Sequence, residues 1–182
     1  MTKLNQRNMI LAGLILAFAL LRLLPIAPNF TPIGALALFA GAHFRNKTMA
    51  FVVPLAALFI SDAFLGFHML MPYVYGAFAL TTVIGLLGQA TFSRQNKTLK
   101  LLVVPLVGGT ISSLLFFAIT NFGVWQSGML YPMTMDGLAQ CFTSAVPFFR
   151  NTLASTWLYS FVLFGAMALL ESRVTSFASA KS

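Results

Sequence analysis

The side chains able to do chemistry are few and scattered. Asp62 sits inside the apolar run Phe-Ile-Ser-Asp-Ala-Phe with no loop to receive it, and Arg22, Asp136 and Arg150 are the other charges of the same half of the chain's spans. An ionisable group inside a membrane span is costly and points first to function. The plainer role is a pair of ion pairs stapling helices, Arg150 with Asp62 or Asp136, while Arg22 could snorkel to the headgroups. His68 and Cys141 could offer a soft or nitrogen ligand to a metal-containing substrate, or be an exposed histidine and a small buried hydrophobe. The amides Asn29, Asn121, Asn151, Gln126 and Gln140 can hydrogen-bond a neutral molecule, and Phe122, Trp125 and Tyr131 can stack on one. No His/Cys/carboxylate cluster has metal-ligand spacing, no nucleophile triad can be assembled, and no GxxxxGK[ST] phosphate loop is present. This inventory suits capture of a small molecule rather than turnover of one: no catalytic residue, no resident cofactor and no metal are expected.

The elements that position these groups must cross a membrane. Of 182 residues, 59% are hydrophobic and 8% charged, and mean hydropathy is +0.88. A soluble domain carries about a quarter charged residues, so the composition excludes a soluble enzyme and a disordered chain, and one cysteine excludes a disulfide scaffold. A helix needs about 20 apolar residues to span the hydrocarbon core. Six stretches qualify in length or approach it: 9–27, 30–44, 49–66, 73–92, 101–120 and 147–170. Strands are excluded, because an open sheet leaves its backbone unsatisfied in lipid and barrel strands alternate in polarity. The fold class expected is therefore all-α, an integral six-transmembrane-helix bundle in one domain. The second stretch is short, about 22 Å as a helix, so Asn29 to Gly34 is expected to be irregular backbone lining a cavity. Lys3 and Arg7 ahead of the first apolar run resemble a signal peptide, but its length and Arg22 favour a retained helix.

The net charge is +8, which in a soluble protein would suggest nucleic acid. Nine of the eleven basic residues instead fall in the tails or in two polar breaks, His43 to Thr48 and Ser93 to Lys100, while 67–72 and 121–146 contain none. The positive-inside rule then places both termini and both basic breaks in the cytoplasm, in the inner membrane of a bacterium. Nucleic acid is not a partner; the bilayer is. The long outer connection 121–146 carries the aromatic and amide side chains. Leu138, Cys141, Phe142 and Ala145 follow helical spacing, so a short amphipathic helix is expected there, capped by Thr134 or Asp136, ended by Pro147, and lying as a lid over the outer mouth. An aromatic belt at the headgroups would use the same Trp and Tyr. Small residues that let membrane helices approach are Gly13 with Ala17, Ala37 with Gly41, and Gly108-Gly109 with Ser112 and Ser113, serving either the bundle or a partner.

Several local motifs carry a resemblance: Asn29-Phe-Thr-Pro-Ile-Gly-Ala-Leu-Ala-Leu-Phe-Ala-Gly-Ala42, Ile60-Ser-Asp62, Phe116 to Trp125, and Pro147-Phe-Phe-Arg-Asn-Thr152. Over about residues 22 to 170 they resemble a family of uncharacterised bacterial membrane proteins described as transport proteins. The architecture resembles the substrate-binding S component of energy-coupling-factor vitamin transporters. That resemblance implies a vitamin-like molecule held at the outer face, cobalamin being one possibility. It also implies rocking of the bundle to release the molecule inside, driven by a membrane coupling subunit and two ATPases in trans. S components often dock through Ala-x-x-x-Ala on the first helix, and the nearest equivalent here is Gly13 with Ala17. The expected site lies between the outer ends of the second, third and sixth spans and the lid. Trp125, Phe122 and Tyr131 would stack, Asn29, Asn121 and Asn151 would hydrogen-bond, Arg150 or Asp62 would meet a charge, and His68 and Cys141 stand near. The competing expectation is a structural or assembly scaffold of the cell envelope, whose own side chains would fill the cavity.

Overall fold

The computed structural model describes residues 3–24, 27–92 and 97–179. They form α1 (Lys3–Ala19), a 3-10 turn (Leu20–Leu23), α2 (Ile33–His43), α3 (Lys47–Leu65), α4 (Met71–Thr91), α5 (Lys97–Val103), a π-helical turn (Val104–Gly108), α6 (Gly109–Gln126) and α7 (Met135–Ser179). Four helices are long and apolar enough to cross a membrane: Lys47–Leu65, Met71–Thr91, the continuous rod Thr98–Gln126, and Met135–Ser172. The protein is a membrane-embedded helical bundle. Residues 93–96 of the second basic break, with Arg94, and residues 180–182, with Lys181, lie outside the described residues.

α2 is the centre of the bundle. Its eleven residues extend about 16 Å as a helix, too short to cross the hydrocarbon, and all but Gly34 are buried. It packs on α4 above all, and also on α3 and α7. A helix apolar on every side belongs in an interior. Its approach to α4 depends on two glycines, because a β-carbon on Gly41 would stand 2.1 Å from the Thr82 carbonyl oxygen and one on Gly85 would stand 2.3 Å from that of Leu38. The small-residue face of α2 thus serves the bundle itself. Gly13 of α1 faces open space instead. At its C-terminal end α2 is capped from neighbouring helices. Lys100 Nζ donates to the Ala42 carbonyl at 2.7 Å, and Gln89 Nε2 donates to the carbonyls of Ala42 and Phe44 at 3.2 and 3.1 Å. These bonds satisfy carbonyls that a helix end leaves free.

Three helix boundaries differ from those read in the sequence. The first apolar run turns from α- to 3-10 helix at Leu20 and becomes extended at Leu24 (φ −78°, ψ 143°), because the residue before Pro25 is disfavoured in the α conformation. The fifth run continues to Gln126, where Gly128 adopts the left-handed conformation (φ 65°) and its N–H bonds back to the Trp125 carbonyl, the glycine stop seen at many helix ends. The lid expected over 121–146 therefore shrinks to 127–134. The amphipathic helix is not a separate element ended by Pro147: it is the first part of α7, which runs through Pro147 without a break. A proline costs one helix hydrogen bond and is tolerated where neighbouring helices pack around a membrane span. The expected cap is present, Thr134 Oγ1 accepting from the Gly137 N–H at 3.2 Å. The face made by Leu138, Cys141, Phe142 and Ala145 turns onto α6, where Phe142 meets Phe117 edge-to-face at 5.4 Å.

Candidate functional site

Because α2 is short, the bundle is not filled at the end where residues 27–32, 66–70 and 127–134 connect its helices. A cavity of about 320 Å³ occupies the gap, between the 29–34 segment and helices α4, α6 and α7. Its wall has three kinds of chemistry. Phe78, Phe116, Phe117, Phe148 and Phe149 supply most of the apolar surface: Phe78 stacks on Phe116 at 5.1 Å and Phe117 leans on Phe149 at 5.2 Å. Hydroxyls come from Thr31, Thr81, Ser112, Ser113, Thr120, Thr152, Ser155 and Thr156, and one cation, Arg22, reaches the wall. No carboxylate lines it.

Arg22 is anchored from behind. Its Nη1 donates to Asp62 Oδ1 and, at 2.6 Å, to Ser61 Oγ, while the Tyr75 hydroxyl donates to Asp62 Oδ2 at 2.8 Å. The Asp62 side chain is 2% exposed and that of Arg22 16%. Each carboxylate oxygen is therefore occupied, as a buried charge requires. The expected pairing of Asp62 with Arg150 does not form. Arg150 is exposed, Asp62 pairs with Arg22, and Arg7 pairs with Glu171. In sequence the two cations of this half, Arg22 and Arg150, were both open to Asp62; the 3-10 turn selects Arg22 by carrying it alongside α3.

The hydroxyls do not behave alike. Thr81, Thr120 and Thr152 each donate to the carbonyl four residues earlier on their own helix, a bond that satisfies a hydroxyl in apolar surroundings. Ser112 and Ser113 are buried and make no hydrogen bond among the described residues. Buried polar groups are normally partnered, and an orphan one calls for an explanation. Both border the cavity.

Of the ten residues expected at the site, Asn29, His68 and Asn121 line the cavity, and Asp62 supports it through Arg22. Asn29 takes the left-handed conformation (φ 61°), which asparagine tolerates better than most residues. Asn121 donates to the Phe117 carbonyl at 2.7 Å, leaving its side-chain oxygen as an acceptor. The others sit outside the wall. Asn151 ties α7 to the 27–32 segment by donating to the Pro28 carbonyl at 2.9 Å. Trp125 donates to the carbonyls of both Pro132 and Thr134 at 3.1 Å, and Phe122 leans on it at 5.5 Å, so this aromatic pair holds the 127–134 connection. Tyr131 is half-buried in that connection and Arg150 faces outward. Cys141 is buried behind α6, its thiol donating to the Asn121 carbonyl at 3.4 Å. Among the described residues no three His, Cys, Asp or Glu side chains gather as a metal site would need.

Sequence reasoning missed the five phenylalanines, since a phenylalanine within an apolar run reads as core whether it faces a cavity or a neighbour. Ser112 and Ser113 do carry a signal, being consecutive polar residues in the middle of a span, but the same pattern serves close packing of membrane helices.

A family model described as a family of unknown function (DUF6580) matches residues 2–178. No curated protein and no solved structure matches the chain.

Proposed function

The chain belongs to that family of unknown function, and we propose that it is a substrate-binding and translocating membrane subunit for uptake of a vitamin-sized molecule, without catalysis of its own. The observation that carries this reading is the cavity. It opens at one end of the bundle and combines aromatic surface, one cation and two buried hydroxyls that lack a partner. Binding sites for small molecules are concave, mostly apolar and furnished with a few convergent polar groups, at about 300–1,000 Å³. At about 320 Å³ the cavity favours a small vitamin over cobalamin, whose corrin ring and nucleotide tail far exceed it. A scaffold would have no need of such a space, and its own side chains would fill it.

Orientation follows from charge. The cavity end contributes 66–70 and 127–134, which contain no Lys or Arg, whereas Arg45, Lys47 and Lys100 cluster at the other. The positive-inside rule sets the cavity toward the outside and the basic end in the cytoplasm of a bacterial inner membrane. With α1 crossing and the short α2 returning the chain inside the bundle, the polypeptide would change sides six times, which would bring both termini to the cytoplasm. The sequence has no phosphate loop, so energy for release would come from a coupling subunit and ATPases in trans.

The test is mass spectrometry of small molecules retained by the detergent-solubilised protein after growth in vitamin-rich medium. A near-stoichiometric compound, lost when Ser113→Leu fills the cavity wall in a protein that still purifies folded, is the expected result. A preparation that retains nothing, alongside a reproducible protein partner, would overturn the reading in favour of a scaffold.

A further inference from the structure

We infer that the cavity selects a small ring compound carrying one carboxylate and, at its far end, a neutral amide-like group. The inference rests on the binding role proposed above and adds the chemical class.

The charge end follows from Arg22. Its Nη1 is committed to Asp62 and Ser61, while Nε and Nη2 make no hydrogen bond among the described residues and belong to a side chain that lines the cavity. The Nε–Nη2 edge of a guanidinium matches the two oxygens of a carboxylate. Asp62 lies behind Arg22 with both oxygens engaged, by Arg22 and Tyr75, and the described residues lining the cavity include one guanidinium and no carboxylate. An acceptor anion is favoured there and a cation is repelled.

The neutral end follows from Ser112 and Ser113. They lie midway along the rod Thr98–Gln126, whereas Arg22 pairs with a residue three short of the end of α3. The two features therefore differ in depth, the charge near the mouth and the orphan hydroxyls within. Both Oγ atoms lie behind the cavity surface with no partner among the described residues, and a turn about the Cα–Cβ bond is what would bring them to a ligand. A hydroxyl donates and accepts, so two of them suit a group that also does both, such as an amide. Between them, the stacked Phe78 and Phe116 with Phe117 and Phe149 offer flat apolar surface suited to a ring. The arrangement keeps the ligand's charge where water is nearest and buries only its neutral end, the less costly way to desolvate it.

Three matched probes test this on the purified full chain by equilibrium dialysis: 4-acetamidobenzoate, the neutral 4-acetamidobenzamide and the cationic 4-acetamidobenzylamine. The acid is expected to bind about tenfold tighter than the amide, as a charge-assisted hydrogen bond allows, with the amine weakest. Arg22→Gln/Asp62→Asn, which removes both charges together, should abolish that preference while the amide still binds. Ser112→Ala/Ser113→Ala should weaken all three probes alike. Equal binding of the three, preference for the amine, or a preference that survives in the charge-free variant overturns the inference. If that variant does not fold, the order of the three probes on the unaltered protein decides. Failure of every probe while another compound co-purifies overturns the inference and leaves the binding role; failure of every probe with nothing co-purifying overturns both.

Discussion

Gly41 of α2 crosses Gly85 of α4 with room for a β-carbon on neither. The obstruction on each side is backbone, the Thr82 carbonyl oxygen facing Gly41 and that of Leu38 facing Gly85, so no rotamer change can relieve it. α2 owes its place at the centre of the bundle to this contact, and the cavity exists because the helix lodged there is too short to reach the other end.

The first prediction concerns that crossing. Gly41→Ala and Gly85→Ala should each destabilise the solubilised protein by about 1–3 kcal/mol, the usual cost of overpacking. Gly13→Ala, where a β-carbon meets nothing, should be neutral or slightly stabilising because alanine is the better helix former. Thermal unfolding of the three variants in one detergent checks the contrast. Equal behaviour would mean that α2 and α4 do not touch at these glycines.

The second concerns the Arg22–Asp62 pair. Removing either partner alone, as Arg22→Gln or Asp62→Asn, leaves a charge poorly compensated in a buried site and should cost about 3–5 kcal/mol. The double substitution should cost less than the sum of the two, and less than Arg22→Gln alone. A double-mutant cycle by chemical denaturation reads the coupling. Additive costs would show that the two side chains do not meet.

A third prediction separates holding the connection from touching a ligand. Trp125→Phe keeps the ring and removes the N–H shared by the Pro132 and Thr134 carbonyls. Faster hydrogen exchange or proteolysis within 127–134 is expected, with a global cost of about 1 kcal/mol. Retention of any bound compound should be unchanged, because Trp125 is not in the cavity wall. Loss of the compound without loosening of the connection would return Trp125 to the binding surface.

The fourth addresses orientation through thiols. Cys141 is buried, so the native protein should resist maleimide until denatured. Met129→Cys, at a position 72% exposed, should react in intact spheroplasts with a membrane-impermeant maleimide if the cavity faces outward, and only after lysis if it faces the cytoplasm.

A few residues of the cavity wall were legible before the fold was known. Asn29, His68 and Asn121 were recognisable as polar residues next to apolar runs, and Asp62 as a carboxylate with no loop to receive it. Trp125, Phe122 and Tyr131 were not, because an exposed-looking aromatic beside a connection has the same pattern whether it stacks on a ligand or secures the backbone. Its role depends on which carbonyls come within reach of the indole. Pro147 misled for a related reason: proline stops a helix in water, whereas within a packed membrane bundle the missing hydrogen bond is borne by its surroundings.

The sequence alone determined that this protein lives in a membrane and that it is helical. Its 8% charged residues cannot clothe a soluble surface. In lipid only helices or closed barrels satisfy the backbone, the latter with an alternation of polarity that these runs lack. The placement of its Lys and Arg residues along the chain determined which end of the bundle is basic. Only the tertiary structure decided that Asp62 takes Arg22 rather than Arg150, that α2 is an interior plug, and that Ser112 and Ser113 are buried beside the cavity without a partner among the described residues. Those outcomes depend on which helices come into contact, and contact between membrane helices is set by shape, here two glycines at a crossing, which hydrophobic periodicity does not encode.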